Sequence, residues 1–249
     1  MPEPLNVTYK SDGADVPARI YRAAAGTESG GVLLCPGRFR DIDGLEFLST
    51  ALAERGHVVL ATTYRGMDFF TDDADISAGL DYLASIADVD PARLAVVGHS
   101  RGGMAALRCA AKDRRVSSVV ALAPPTDFSS YVKAMALLSP QRYAGMVASM
   151  GGTEEDEPER YVEISALRYA DRIKVPVLLV CGTQDLHAPL DHSQWMREAL
   201  VEAGNADCQL EVLDGVGHFF EKMYAGYEFD RISALTIDWL DRTLVGEAP

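Results

Sequence analysis

The sequence predicts an α/β fold: one mostly parallel central sheet with helices on both faces. Two observations carry this. From about residue 30 onward, short apolar runs alternate with stretches of helical period, the signature of repeated strand–helix–strand units. The short runs are continuously apolar rather than alternating, as strands covered on both faces are. The chain has 249 residues, 48% of them hydrophobic. That length suits a single domain over residues 1–249, with a core large enough to need neither disulfide nor metal.

The elements follow in order. Leu5 to Lys10 and Val16 to Tyr21 read as strands joined by a turn at Ser11-Asp12-Gly13. Gly31 to Cys35 is an apolar strand that stops at Pro36-Gly37. Leu45 to Arg55 is helical and ends at Gly56. Val58 to Thr63 is β-branched and apolar, and Asp72 to Ala87 is helical with Ile76, Leu80 and Leu83 on one face. Leu94 to Val97 is a strand entered through Asp90-Pro91, and Met104 to Lys112 a helix. Val116 to Leu122 and Val175 to Cys181 are strands. Gln194 to Ala203 is a helix closed by Gly204, Cys208 to Leu213 a strand, and Tyr227 to Leu244 the last helix. Between the strands ending at Leu122 and starting at Val175, residues 126–174 contain no convincing strand. Ligands of open α/β sheets bind at the carboxyl ends of strands, so this helical insertion is expected to act as a lid.

Composition narrows the partners. The formal net charge is −14 and the pI about 4.7, which repels nucleic acid and anionic membranes. No stretch reaches the roughly 18 apolar residues of a membrane span. Cys35, Cys109, Cys181 and Cys208 form no CxxC pair and read as reduced and structural. Met1-Pro2-Glu3-Pro4 does not open a signal peptide, so the expected location is the cytoplasm. The acidic run Glu154 to Glu157 reads as a solvated loop. A homodimer is compatible with the sequence, which does not demand one.

The chemistry centres on Val96-Val97-Gly98-His99-Ser100-Arg101-Gly102-Gly103. A G-x-S-x-G pattern between a strand and a helix is the nucleophile elbow of the α/β-hydrolase fold. Ser100 must sit at the tip of a strained turn, and side chains at positions 98 and 102 would collide with the neighbouring strand and helix. The fold orders its remaining site residues as acid, then histidine. Asp185 follows directly on the strand ending at Cys181 and is preferred to Asp191, Asp207 and Asp214. His218 stands in a glycine loop after the strand ending at Leu213. A histidine titrates near neutrality and suits a base, and a carboxylate fixes its tautomer. His99 reads as structural, His57 opens a strand, and His187 and His192 read as pocket or surface residues. A metal group of Asp185, His187 and His192 would lack a second carboxylate, so no metal is expected.

Two backbone amides should hold the oxyanion: that of Arg101, and one from the turn Cys35-Pro36-Gly37-Arg38-Phe39, either Arg38 or Phe39. The Arg38 side chain is either solvated or available to an anionic substrate group. Phe39, Phe69, Phe70, Phe128, Tyr131, Met135, Leu138, Tyr143, Met146 and Met150 supply apolar groups. They suit a substrate pocket, and equally the closing of the insertion onto the domain.

The segment Val89 to Gly103 resembles the nucleophile region of the prolyl oligopeptidase catalytic domain and of dienelactone hydrolases. Tyr64-Arg65-Gly66, Tyr169 to Asp185, and Gly217-His218-Phe219-Phe220 resemble further segments of the former, so the likeness spans roughly residues 30–244. It implies Ser100, Asp185 and His218 as a catalytic triad, with oxyanion donors at Arg101 and near Arg38. No counterpart of the propeller that gates the large peptidases is expected in these 249 residues, and dienelactone hydrolases carry cysteine where Ser100 stands. The expected function is a serine hydrolase of a small acyl substrate, an ester first of all, with no cofactor. An aminopeptidase or acylpeptide hydrolase would share the triad and need Glu46, Asp68 or Arg38 to read a peptide terminus. A thioesterase or acyltransferase would also use Ser100. A noncatalytic binding protein on the same fold is the remaining alternative.

Overall fold

The computed structural model describes residues 3–22, 29–38 and 41–244. Eight strands form one sheet: β1 (Leu5–Ser11), β2 (Ala14–Tyr21), β3 (Ser29–Cys35), β4 (Val58–Thr62), β5 (Val89–His99), β6 (Val116–Leu122), β7 (Val177–Gly182) and β8 (Cys208–Leu213). Their order is β1-β2-β4-β3-β5-β6-β7-β8. β1 and β2 run antiparallel to their neighbours, and every pairing from β4 to β8 is parallel. This is the α/β-hydrolase fold.

Alternation along each strand divides the core between the two faces. Leu33 and Cys35 of β3, Val96 of β5 and Val119 of β6 face one layer. That layer is built from α2 (Asp72–Ala84), α3 (Arg101–Lys112) and α7 (Leu190–Glu202). Val32 and Leu34, Val97 and Val120 face the other, where α1 (Glu46–Glu54) packs with α8 (Phe229–Leu244). Every residue of β4 and β7 is buried, which explains why these strands read as unbroken apolar runs.

Several boundaries differ from expectation for local reasons. β5 starts at Val89 rather than Leu94, because its pairing absorbs register shifts against both neighbours. The Asp90 carboxylate accepts from Ala92 N and Arg93 Nε, so the Pro91 stretch folds back within the strand. The last helix starts at Phe229, not Tyr227. Gly226–Tyr227 instead pairs with Glu221–Lys222 as a two-stranded hairpin, β9 and β10.

The stretch between β6 and β7 holds α4 (Phe128–Leu138), α5 (Pro140–Met150), α6 (Pro158–Ile164) and a 3₁₀ segment, Ala166–Arg172. Asp127 caps α4 by accepting from Ser130 N. Ser139 caps α5, whose first residue is Pro140. The base of the insertion is tied down by polar contacts. Thr126 Oγ1 donates to the His192 carbonyl, Asp127 N donates to His192 Nδ1, and Phe128 N donates to Ser165 Oγ.

Beneath the ends of β3 and β5 lies a buried ion cluster. Arg101 places its guanidinium on the Asp72 carboxylate, with Nη2 to Oδ1 at 2.5 Å, and donates to the carbonyls of Gly66 and Asp68. Its plane lies over Tyr64, 4.2 Å from the ring centroid. Tyr64 donates in turn to the Pro36 carbonyl. Burial opposes the Arg101 charge, but Asp72 more than offsets this and holds the guanidinium above its ordinary range. Arg108 is fully buried beside Asp72 and pairs with Asp73 at 2.9 Å.

Two predictions follow from these contacts. Asp72→Ala leaves the buried Arg101 guanidinium without its carboxylate, while Arg108 keeps Asp73, and is expected to cost about 3–5 kcal/mol in urea unfolding at pH 7.5. Replacing Asp72 and Arg101 together by leucine and methionine should cost clearly less. The second concerns His57 and His192, both held below the ordinary histidine pKa chiefly by burial. The unfolded chain then takes up protons first, so stability is fully present above about pH 6.5 and is lost as the pH falls through that value. The urea midpoint should drop between pH 7.5 and 5.5, and less steeply in His57→Gln.

Candidate active site

Ser100 joins β5 to α3 with φ 54° and ψ −114°, a backbone conformation disfavoured for any residue with a side chain. Such a residue stores about 1–3 kcal/mol of strain and persists only where its surroundings over-determine it. They do so here. A β-carbon at Gly98 would lie 2.2 Å from the Gly102 carbonyl oxygen, and one at Gly102 would lie 2.2 Å from the Cys35 carbonyl oxygen. Ser100 N donates to the Leu122 carbonyl, and the Ser100 carbonyl accepts from Met104 N. The strand ends and the helix start are thereby clamped together.

Asp185 stands in the turn after β7. Gln184 N donates to the Val216 carbonyl and Thr183 N to the Leu213 carbonyl, which joins this turn to the loop after β8. Asp185 Oδ1 accepts from His187 N at 2.9 Å and Ala188 N at 2.8 Å. His218 Nδ1 donates to Asp185 Oδ2 at 2.8 Å, and His218 Nε2 lies 2.9 Å from Ser100 Oγ. With the Nδ1 proton engaged by the carboxylate, Nε2 of the neutral ring accepts from the serine hydroxyl. Ser100, Asp185 and His218 are each at least 95% buried. Water therefore competes little with these bonds. Asp191, Asp207 and Asp214 take no part in this chain of bonds.

His99 lies beneath the base. Its Nε2 donates to the His218 carbonyl at 2.8 Å, so it holds the histidine loop and does not approach the serine as a base. His57 is buried beside Asp241, far along the sheet. His192 is buried as the acceptor for Asp127 N. His187 lines the cavity. Burial and neighbouring His218 keep its pKa below the ordinary value.

A cavity of about 250 Å³ opens over Ser100. Its walls include Arg38, Tyr131, Arg142, Met146, His187 and Phe219. Arg38, Tyr131 and Met146 are among the residues the sequence reading expects at the site. Phe69, Phe128 and Met135 were proposed as pocket residues, but they are fully buried and pack beneath the wall. Phe69 and Phe128 meet edge to face at 5.0 Å, and Phe69 carries the Arg38 and Arg101 guanidinium groups at 5.0 Å each. Their role is to support the wall. Phe39, proposed for substrate contact and as an alternative oxyanion donor, lies outside the described residues. Arg142 escaped the sequence reading, whereas His187, read there as a pocket or surface residue, lines the cavity. The Ser139–Pro140 start of α5 sets Arg142 in the first turn of that helix, which by itself marks no site.

Two groups could stabilise an anion at the reacting carbon. Arg101 is the first residue of α3, so its amide is among the N-terminal donors with no acceptor inside the helix. Arg38 follows Gly37, whose own β-carbon would come within 3.0 Å of His99 Nδ1. Among the described residues, Asp185, His187 and His218 present donor atoms within 4.8 Å of one another. A cation there would compete with the Asp185–His218 hydrogen bond.

Residues 70–246 match the prolyl oligopeptidase family. The chain is 26% identical over 207 residues to an uncharacterized peptidase, YtmA, of Bacillus subtilis (strain 168), across 78% of each chain. Its fold resembles the acylaminoacyl peptidase of Pyrococcus horikoshii with a TM-score of 0.82 and 16% identity. That likeness covers 99% of this chain and 43% of the peptidase, so the chain spans less than half of that protein. The Pyrococcus furiosus esterase PF2001 gives a TM-score of 0.73 at 18% identity, over 97% of this chain and 91% of the esterase. Through the family match over most of its length, the chain belongs to the prolyl oligopeptidase family of serine hydrolases.

Proposed function

We propose that this serine hydrolase cleaves small carboxylic esters through a covalent acyl-Ser100 intermediate. The observation that carries the reading is the unbroken hydrogen-bond chain from Ser100 Oγ through His218 to Asp185, opening into a cavity. His218 Nε2 takes the hydroxyl proton as Ser100 Oγ attacks the carbonyl carbon. The resulting oxyanion accepts from the amides of Arg101 and Arg38, each worth about 3 kcal/mol in the transition state. Collapse breaks the bond to the alcohol, which leaves with the proton from His218. Water, deprotonated by the same nitrogen, then releases the acid and restores Ser100. Asp185 keeps the ring in the required tautomer and stabilises its charged form. None of these steps calls for a metal or organic cofactor.

The cavity limits the substrate to a small molecule. Its volume of about 250 Å³ falls below the roughly 300 Å³ at which pockets for drug-sized ligands begin. The insertion of residues 126–174 acts as the lid, since Tyr131, Arg142 and Met146 reach the cavity from α4 and α5. Peptide hydrolysis is the second reading, favoured by the acylaminoacyl peptidase likeness. Within it, a blocked N-terminus suits the site better than a free one. Among the described residues no carboxylate side chain lines the cavity to receive an ammonium. Asp68 instead caps Phe70 N, and Glu46 starts α1.

The test is a kinetic comparison of p-nitrophenyl butyrate with an N-acetylalanine p-nitroanilide. The proposal expects kcat/KM for the ester to exceed that for the anilide by at least about 100-fold. The reverse order would support the peptide reading. Ser100→Ala and His218→Ala should each lower kcat by about 10⁶, and Asp185→Asn by about 10⁴. Circular dichroism should show all three folded. Retention of a tenth of the activity in Ser100→Ala would contradict the mechanism.

A further inference from the structure

The charge lining the Ser100 cavity is opposite to that of the molecule. The chain carries 37 acidic and 23 basic side chains. The cavity nevertheless receives Arg38 from the turn after β3 and Arg142 from the first turn of α5. His187 lies between Arg142 and the catalytic histidine. Arg142 Nη1 donates to His187 Nε2 at 3.1 Å, and the His187 and His218 ring centroids are 4.8 Å apart. The Arg38 guanidinium is held in place over Phe69. Among the described residues, no aspartate or glutamate side chain lines the cavity. Asp185 lies behind the base, with both carboxylate oxygens already engaged.

Burial pushes the Arg38 pKa down, and nearby Arg101 and Arg142 act in the same direction. Tyr131 and the more weakly acting Asp72 oppose them. A ligand that placed negative charge between Arg38 and Arg142 would relieve this repulsion. Planar guanidinium groups match a planar carboxylate in geometry. The overall charge of −14 penalises a dianion more than a monoanion during approach. The small volume confines the group to a few bonds from the carbonyl held at Ser100.

We propose that Arg38 and Arg142 form a carboxylate-recognition site, and that the substrate is a small acyl compound carrying a free carboxylate beside the cleaved bond. For its catalytic part this rests on Ser100 as the nucleophile. Arg142 sets specificity from the insertion. Neutral His187 accepts from Arg142 and orients it without adding a third positive charge.

The experiment pairs two esters of matched shape. The mono-p-nitrophenyl ester of glutaric acid ends in a carboxylate, and p-nitrophenyl 5-methylhexanoate ends in an isopropyl group. Spontaneous hydrolysis is subtracted. The expected ratio of kcat/KM, anionic over neutral, is at least about 10 in the wild type and falls as salt is raised. In Arg142→Gln the ratio should drop at least fivefold, chiefly through KM for the anionic ester. Arg142→Lys should recover part of it, and Arg142→Glu should bring it below one. A second measurement needs no turnover: calorimetric titration of monomethyl glutarate into Ser100→Ala, expected to saturate and to weaken at least fivefold when Arg142→Gln is added. A wild-type ratio near one, or no saturable binding to Ser100→Ala, would overturn the carboxylate site. Saturable, Arg142-dependent binding with neither ester hydrolysed would support it while sinking the esterase reading.

Discussion

The site depends on the close approach of three backbone segments at Gly98, Gly102 and Cys35. The end of β3, the end of β5 and the start of α3 meet where no β-carbon fits. This contact forces Ser100 into its strained conformation and sets it at the tip of the turn. It also fixes what lies on either side. The Pro36-Gly37-Arg38 turn is carried to the serine by β3, and the first amide of α3 is carried there by the helix. Strain of about 1–3 kcal/mol at Ser100 is sustained because the buried strands around it hold a much larger packing energy, about 1.5–3 kcal/mol for each large aliphatic side chain.

Arg101 shows how one residue serves the elbow through two groups. Its amide belongs to the helix start, while its side chain runs down into the ion cluster with Asp72. Through Tyr64 that cluster reaches the Pro36 carbonyl, and through Phe69 it underlies Arg38. The two turns proposed to hold the oxyanion are therefore braced by the same buried charge. On the opposite side His99 performs a comparable service for the His218 loop.

Much of the fold was legible because buried parallel strands impose a composition that their sequence cannot hide. β4 and β7 read as unbroken apolar runs for this reason. The Ser100, Asp185 and His218 positions were legible because a fixed order of strand ends and a glycine-flanked turn leave few choices. What the sequence did not reveal depends on distances across the chain. Asp72 and Arg101 look like ordinary helix-terminal charges, and only their contact shows that both are buried. Phe128, Tyr131, Met135 and Met146 share one apolar pattern in the insertion. Helix packing turns Tyr131 and Met146 toward the cavity and Phe128 and Met135 into the core. Arg142 carries no local mark of function, since an exposed arginine on a helix is usually solvated. The hairpin of β9 and β10 was missed because strands of two residues leave no period to detect.

The central claim is that Ser100 is activated by His218 within this elbow. Labelling with a fluorophosphonate, followed by mass spectrometry of the digested protein, tests it most directly. The account predicts one adduct, on the peptide containing Ser100, formed rapidly in the wild type and lost in His218→Ala although the serine is still present. A folded wild-type protein that takes up no label, or takes it up at another residue, would contradict the account.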